Sequence, residues 1–233
     1  MDKKYELMLP ILSARLESII KMVNRGERII DVGTDHALIP IKIIGLGLRK
    51  SAVASDIREG PLKIAQKNID KYGLQKKIKI FQSDGLKYLV IEPDDCIVIA
   101  GMGGYEIISI LKDAMPPCKN IILQPQKSLM ELRCFLSENG YLIDDEIIVK
   151  ENNRFYIVMK IEYTGRPYSL NLTMQIAGPV ILKKKSEHFY DYISYLINQM
   201  GKKQKGNKNY ILVKSELEKE LIDFDYKRNS KEN

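Results

Sequence analysis

Short apolar runs that end in Asp or Gly alternate with amphipathic stretches through residues 28–138, and this alternation limits the possible folds more than any other feature. Arg28–Val32, Ala52–Asp56, Ile78–Gln82, Cys96–Ala100 and Asn120–Leu123 read as buried strands, being too short for helices and bounded by turn residues. His36–Leu48, Glu59–Tyr72, Tyr105–Ala114 and Ser128–Glu138 read as the helices between them. Gly60-Pro61 marks one helix start, because proline in the first turn loses no needed N–H. Such alternation predicts a mostly parallel sheet covered on both faces. Tyr141–Lys150 and Phe155–Glu162 are two further strands, and the turn Glu151-Asn152-Asn153 is tight enough to make them antiparallel. The expected fold class is α/β, a doubly wound sheet finished by an antiparallel hairpin.

The flanks differ from this middle. Leu9, Leu12, Leu16, Ile19, Ile20 and Val23 repeat at helical spacing and predict an N-terminal helix over 9–23. Beyond the loop carrying Gly165 and Pro167, Phe189, Ile193, Leu196 and Met200 recur on one helical face, and Val213, Leu217, Leu221 and Phe224 on another. With the turn Gly201–Asn209 between them, they predict an antiparallel, coiled-coil-like pair. The expected organisation is a sheet domain over 1–163 and a helical appendage over 164–233.

Net charge is +7, and residues 163–233 carry 13 Lys and Arg against 8 Asp and Glu. A localised basic surface suits a polyanion such as nucleic acid. Three cysteines without a C-x-x-C argue against a disulfide framework or a zinc knuckle and favour a reducing compartment. No secretory signal is visible, and no apolar run approaches the roughly 18 residues that a membrane span needs. The chain is expected to be cytoplasmic and monomeric, with no membrane association and no metal.

The strand ends hold the candidate chemistry. The first is followed by Asp31-Val32-Gly33-Thr34-Asp35-His36, the second ends in Asp56, and the third is followed by Ser83-Asp84-Gly85. Ligands of doubly wound sheets bind beyond such carboxyl ends. Gly33 allows close backbone approach, Asp56 suits a ribose diol, and Asp84 suits an adenine amino group. A nicotinamide dinucleotide would need G-x-G-x-x-G to cradle its pyrophosphate. Here the stretch is G-T-D-H-A-L, where Asp35 would repel phosphate. S-adenosylmethionine has no phosphate and bears a sulfonium cation, so the acidic loops suit it. Gly101-Met102-Gly103-Gly104 after the fourth strand would bring main chain close to a reacting group.

Taken together, these motifs resemble the bacterial tRNA (adenine-22-N1)-methyltransferases, whose fold is the Rossmann-like class I methyltransferase sheet. The likeness rests on Asp31–Ala37 with Pro40, Gly60-Pro61, Asp84-Gly85-Leu86, Ile99–Gly104, Leu123-Gln124-Pro125, Arg133, Tyr156, Gly178-Pro179 and Leu12-Ser13-x-Arg15-Leu16. Asparagine is usual in the family where Gln126 stands. The resemblance implies transfer of a methyl group from S-adenosylmethionine to adenine N1 in tRNA. It implies a cofactor site of Asp31, Gly33, Asp56, Asp84, Gly85, Gly101 and Met102, with Asp35, His36 and Gly103 at the reacting centre. Tyr105 would stack on the target base. Arg15, Arg133, Lys183, Lys184, Lys185, Lys202 and Lys203 would contact tRNA, with Lys205 and Lys208 nearby. The alternatives are a class I methyltransferase acting on another RNA, a protein or a small molecule, and a non-catalytic RNA-binding module.

Overall fold

The computed structural model describes residues 9–114, 118–203 and 208–229. Helix α1 (Ala14–Met22) precedes β1 (Gly26–Val32), α2 (Leu38–Gly45), β2 (Arg49–Asp56), α3 (Glu59–Lys71) and β3 (Ile78–Gln82). Then come β4 (Cys96–Met102), α4 (Gly104–Ala114), β5 (Asn120–Pro125), α5 (Leu129–Glu138), β6 (Tyr141–Glu151) and β7 (Arg154–Tyr163). The chain continues through α6 (Leu172–Ala177), α7 (Pro179–Lys184), α8 (Phe189–Lys203) and α9 (Lys208–Asn229).

One sheet of seven strands runs in the order β3-β2-β1-β4-β5-β7-β6. The first five strands in this order are parallel, while β7 is antiparallel to both β5 and β6. The order reverses at β1, where the chain leaves β3 and crosses to β4. The doubly wound sheet with its terminal hairpin is as expected. At the hairpin, Asn152 and Asn153 both take positive φ, of 49° and 58°. Asparagine tolerates that conformation, which matches the twist of the paired strands.

The pleat sorts neighbouring residues onto opposite faces. Ile29, Val98, Ile122 and Val158 face α1, α2 and α3. Ile30, Ile97, Ile99, Ile121 and Leu123 face α4 and α5. Phe189, Tyr192 and Ile193 of α8 and Val213 and Leu217 of α9 join this second cluster, so the tail helices share a core with the sheet.

Element ends differ from the sequence expectations where backbone geometry intervenes. The helix expected from His36 begins at Leu38, because Asp35 and Ala37 take left-handed φ of 50° and 55°. Pro40 falls inside the first turn, where its missing N–H would have had no intrahelical partner. The N-terminal helix spans Ala14–Met22 rather than 9–23. Strand β4 runs on to Met102 through an irregularity between Ala100 and Met102, with Gly101 at φ +80°. A bulge of this kind bends the strand and re-aims its tip. Of the turn expected at Gly201–Asn209, Gly201 to Lys203 still belong to α8 and Lys208 and Asn209 already belong to α9, while residues 204–207 lie outside the described residues.

Candidate active site

The carboxyl ends of β3, β2, β1 and β4 lie side by side, and a cleft of about 880 Å³ opens across them. Asp31, Asp56 and Asp84 all line it. At the tip of β1, the N–H groups of Gly33 and Thr34 donate to the Ser55 carbonyl at 2.8 and 2.9 Å, which draws the loop toward β2. Gly33 has φ +73°, and a Cβ there would stand 2.3 Å from Met102 Cε. Only glycine meets both demands, so the β1 loop and the β4 tip can close on each other.

Asp31 is buried and accepts a hydrogen bond from Thr34 Oγ1 at 2.6 Å. Burial pushes its carboxyl up to about 7; the Thr34 hydroxyl opposes that rise and the Asp56 charge adds to it. Asp56 is also buried and accepts from the Arg58 N–H at 2.9 Å. Asp84 is exposed and pairs with Lys87 at 2.7 Å. Gly85 beside it has φ +62°. A Cβ at Gly101 would meet nothing within 4 Å, so the bulge leaves room inside the cleft. Two buried carboxylates gain from an added cation and lose from an added phosphate. A cleft lined by Asp31, Gly33, Asp56, Asp84, Gly85, Gly101 and Met102 therefore suits a cationic nucleoside better than a phosphorylated one.

The rest of the cleft is lined by Asp35 and His36, by Arg15 from α1, by Glu106, Ser109 and Ile110 from α4, and by Gln126 after β5. His36 Nε2 lies 3.2 Å from Asp35 Oδ2, with both side chains exposed. The β4 and β5 loops are clamped together, since Gln126 N–H donates to Met102 O at 2.8 Å and Gly104 N–H to Lys127 O at 3.0 Å. A Cβ at Gly104 would lie 2.4 Å from Ser128 O, so this glycine permits the approach. Glu106 caps the start of α4 by accepting from Gly103 N–H at 3.1 Å. Among the described residues, no group of three or more His, Cys, Asp or Glu is placed to hold a metal.

Residues 12–159 match the family model described as a methyltransferase domain. A tRNA (adenine(22)-N(1))-methyltransferase of Bacillus subtilis is 31% identical over 234 residues, which cover 91% of this chain and 97% of that protein. The chain belongs to the tRNA (adenine(22)-N(1))-methyltransferase family. Sp1610 of Streptococcus pneumoniae, solved in complex with S-adenosyl-L-methionine, superposes with a TM-score of 0.81 at 29% identity, over 91% of this chain and 100% of that one. TrmK of M. capricolum, solved with S-adenosyl-homocysteine, does so with a TM-score of 0.73 at 29% identity, over 93% and 99%.

Within this methyltransferase, some expected substrate residues stand elsewhere. Arg133 is a correction. It is fully buried, with its guanidinium held by Glu146 at 2.8 Å and by the Gln175 and Ile176 carbonyls at 3.0 and 2.9 Å. It therefore has no surface to offer a polyanion. Lys184 pairs with Asp145 at 2.7 Å and Lys185 with Glu220 at 2.6 Å, while Lys183 is exposed at the end of α7. Lys202 and Lys203 fall in the last turn of α8 with side chains outside the described set, and Lys205 lies wholly outside it. Lys208 begins α9. Tyr105 is exposed next to Glu106. Glu106, Ser109, Ile110 and Arg58 are cleft residues that the sequence motifs do not single out. Helical spacing from the Gly101–Gly104 loop could have found the first three, since i, i+3 and i+4 share a face.

Proposed function

We infer that the chain methylates N1 of adenine 22 in tRNA with S-adenosylmethionine as methyl donor. The observation that carries this reading is the cleft at the point of strand reversal, lined at adjacent tips by Asp31, Asp56 and Asp84. It stands in a chain of the family named above, 31% identical to a curated member across nearly its whole length. When bound, the cofactor supplies an electrophilic methyl group on a cationic sulfur.

Asp56 would hold the ribose hydroxyls, Asp84 the adenine edge, and Asp31 the cationic end of the cofactor. Adenine N1 carries a lone pair and no proton at neutral pH, so the chain needs no strong general base. Its task is positioning, which can supply much of a rate enhancement. The base becomes cationic as it is methylated, and the Asp35 carboxylate, steadied by His36, faces the cleft where that charge would be favoured. Gly103, with its N–H held by Glu106, would fix the loop beside the base. N1 lies on the pairing edge, so the target nucleotide must be unpaired or turned out.

Residues 164–233 would form the tRNA-gripping appendage, with Lys183 exposed and the segment carrying most of the net positive charge. No helix among the described residues is long and apolar enough to cross a membrane. A cytoplasmic location accords with the free cysteines Cys96, Cys118 and Cys134, and light scattering tests whether the chain is a monomer. The deciding experiment is nucleoside analysis of tRNA after reaction. The expected product is 1-methyladenosine at position 22; label in protein alone, or at another base, refutes the reading.

A further inference from the structure

We propose that Gln126 recognises the 6-amino group of the target adenine and that Arg15, acting through Gln124, fixes the direction in which Gln126 presents its amide. This rests on the methyltransferase reading above and names the specificity determinant of that same site. Arg15 and Gln126 line the part of the cleft away from the acidic tips, beside the β4 bulge. Arg15 Nη1 donates to Gln124 Oε1 at 2.5 Å. Its backbone N–H is anchored on Glu151 Oε2 at 2.9 Å, and its guanidinium lies 5.8 Å from the centre of the Tyr156 ring.

A guanidinium can only donate. Gln124, fully buried, must therefore turn its carbonyl oxygen toward Arg15, and its amide nitrogen donates instead to the Pro125 carbonyl at 2.9 Å. The same Gln124 oxygen accepts from Gln126 Nε2 at 3.2 Å. That hydrogen bond commits the nitrogen of Gln126 inward and leaves its Oε1 as an acceptor on the exposed side. The Gln126 backbone is held by its bond to Met102 O, so the side chain hangs from a fixed point. A fixed acceptor beside the reacting centre matches a base that carries an amino group next to N1. Guanine would set its 6-oxygen against that acceptor, lone pair against lone pair, and purine would leave it without a donor. Gln126 is thus a specificity residue, and Arg15 a positioning residue two amides removed.

The test compares kcat/KM on tRNA transcripts carrying adenine or unsubstituted purine at position 22. Differences in the intrinsic nucleophilicity of N1 are shared by all variants and cancel between them. Wild type should prefer adenine. Gln126→Leu should lose at least about tenfold of that preference, the scale of one hydrogen bond to an otherwise unpaired group. Arg15→Leu should lose preference as well, and Arg15→Lys, which keeps a donor-only group, should retain it. Cofactor affinity, read by calorimetric titration, should be unchanged in Gln126→Leu and reports that the variant is folded. A preference unaltered by Gln126→Leu, with both substrates slowed equally or not at all, overturns the proposal. A preference unaltered by Arg15→Leu overturns the relay. No 1-methyladenosine from wild type would overturn the parent reading and this one with it, a result distinct from methylation with an unaltered preference.

Discussion

The Thr34 hydroxyl donates to the Asp31 carboxylate at 2.6 Å, at a point where burial has stripped that carboxylate of water. Burial alone would favour the neutral acid, and the carboxyl titrates at about 7 rather than near the ordinary carboxylate range. Because the folded value is raised, ionisation costs the fold stability progressively as pH rises from about 4 to about 7. A bound cation reverses the preference and pulls the proton off. Cofactor affinity should therefore rise with pH up to about 7 and level off above it, with protons released on binding near neutrality. Titration calorimetry in buffers of different ionisation heat reads both quantities. Thr34→Val, which removes the donor, should push the profile to higher pH; affinity that is flat with pH would exclude Asp31 from the cationic end.

Asp56 makes a separate prediction. Its carboxylate is buried at the tip of β2, accepts a hydrogen bond from Arg58 N–H at 2.9 Å and lies 3.6 Å from Arg58 Nε. Asp56→Ala should weaken cofactor binding by about 1–3 kcal/mol, the loss of charge-assisted hydrogen bonds to a diol. Because that loss is in cofactor binding, saturating cofactor should restore much of the rate. Unchanged affinity in the same titration would refute the ribose role.

What the residue pattern made legible follows from the length scale of each interaction. Strands β1, β2, β4 and β5 are visible because each carries an apolar run ended by Asp, Gly or Pro, and a parallel strand inside the sheet needs little else, whereas the edge strand β3 is marked by Ile78, Ile80 and the Ser83-Asp84-Gly85 turn that follows it. The acidic tips are visible for the same reason, since a strand end and its loop are adjacent in sequence. Arg133 is different. It reads as a surface arginine because its partner Glu146 lies on another element, and its carbonyl acceptors at Gln175 and Ile176 lie some forty residues on. Arg15 is likewise brought to Gln124 across 109 positions, which no local pattern reports. The bulge at Gly101 is readable only as a glycine-rich turn, because its bend depends on pairing with β5.

The Arg133–Glu146 pair ties α5 and β6 to the tail. Glu146 Oε2 also accepts from Val180 N–H at 3.0 Å, and Gly178 at φ +106° leaves the space that both side chains occupy. Removing one member leaves the other charge buried and unpaired. Arg133→Met should cost about 3–5 kcal/mol. Denaturant unfolding monitored by circular dichroism measures this; a loss under about 1 kcal/mol would show that the pair carries little, since surface pairs fall in that range.

The basic tail gives the last prediction. Binding to a polyanion releases counterions, so affinity falls with salt in proportion to the phosphates neutralised. Lys184 and Lys185 are already engaged by Asp145 and Glu220, and only Lys183 of this run projects from α7 without such a partner among the described residues. Replacing all three with Ala should weaken tRNA binding and flatten the slope of log affinity against log salt by about 0.7–0.9 for each phosphate no longer neutralised. Lys183→Ala alone should account for most of that change, because its charge is not offset by a neighbouring carboxylate. Lys184→Ala should do less per residue removed, while also freeing the Asp145 charge to repel the backbone. Filter binding of tRNA across a series of salt concentrations distinguishes these cases, and a slope untouched by the triple replacement would move the grip to the helix ends that carry Lys202 and Lys208.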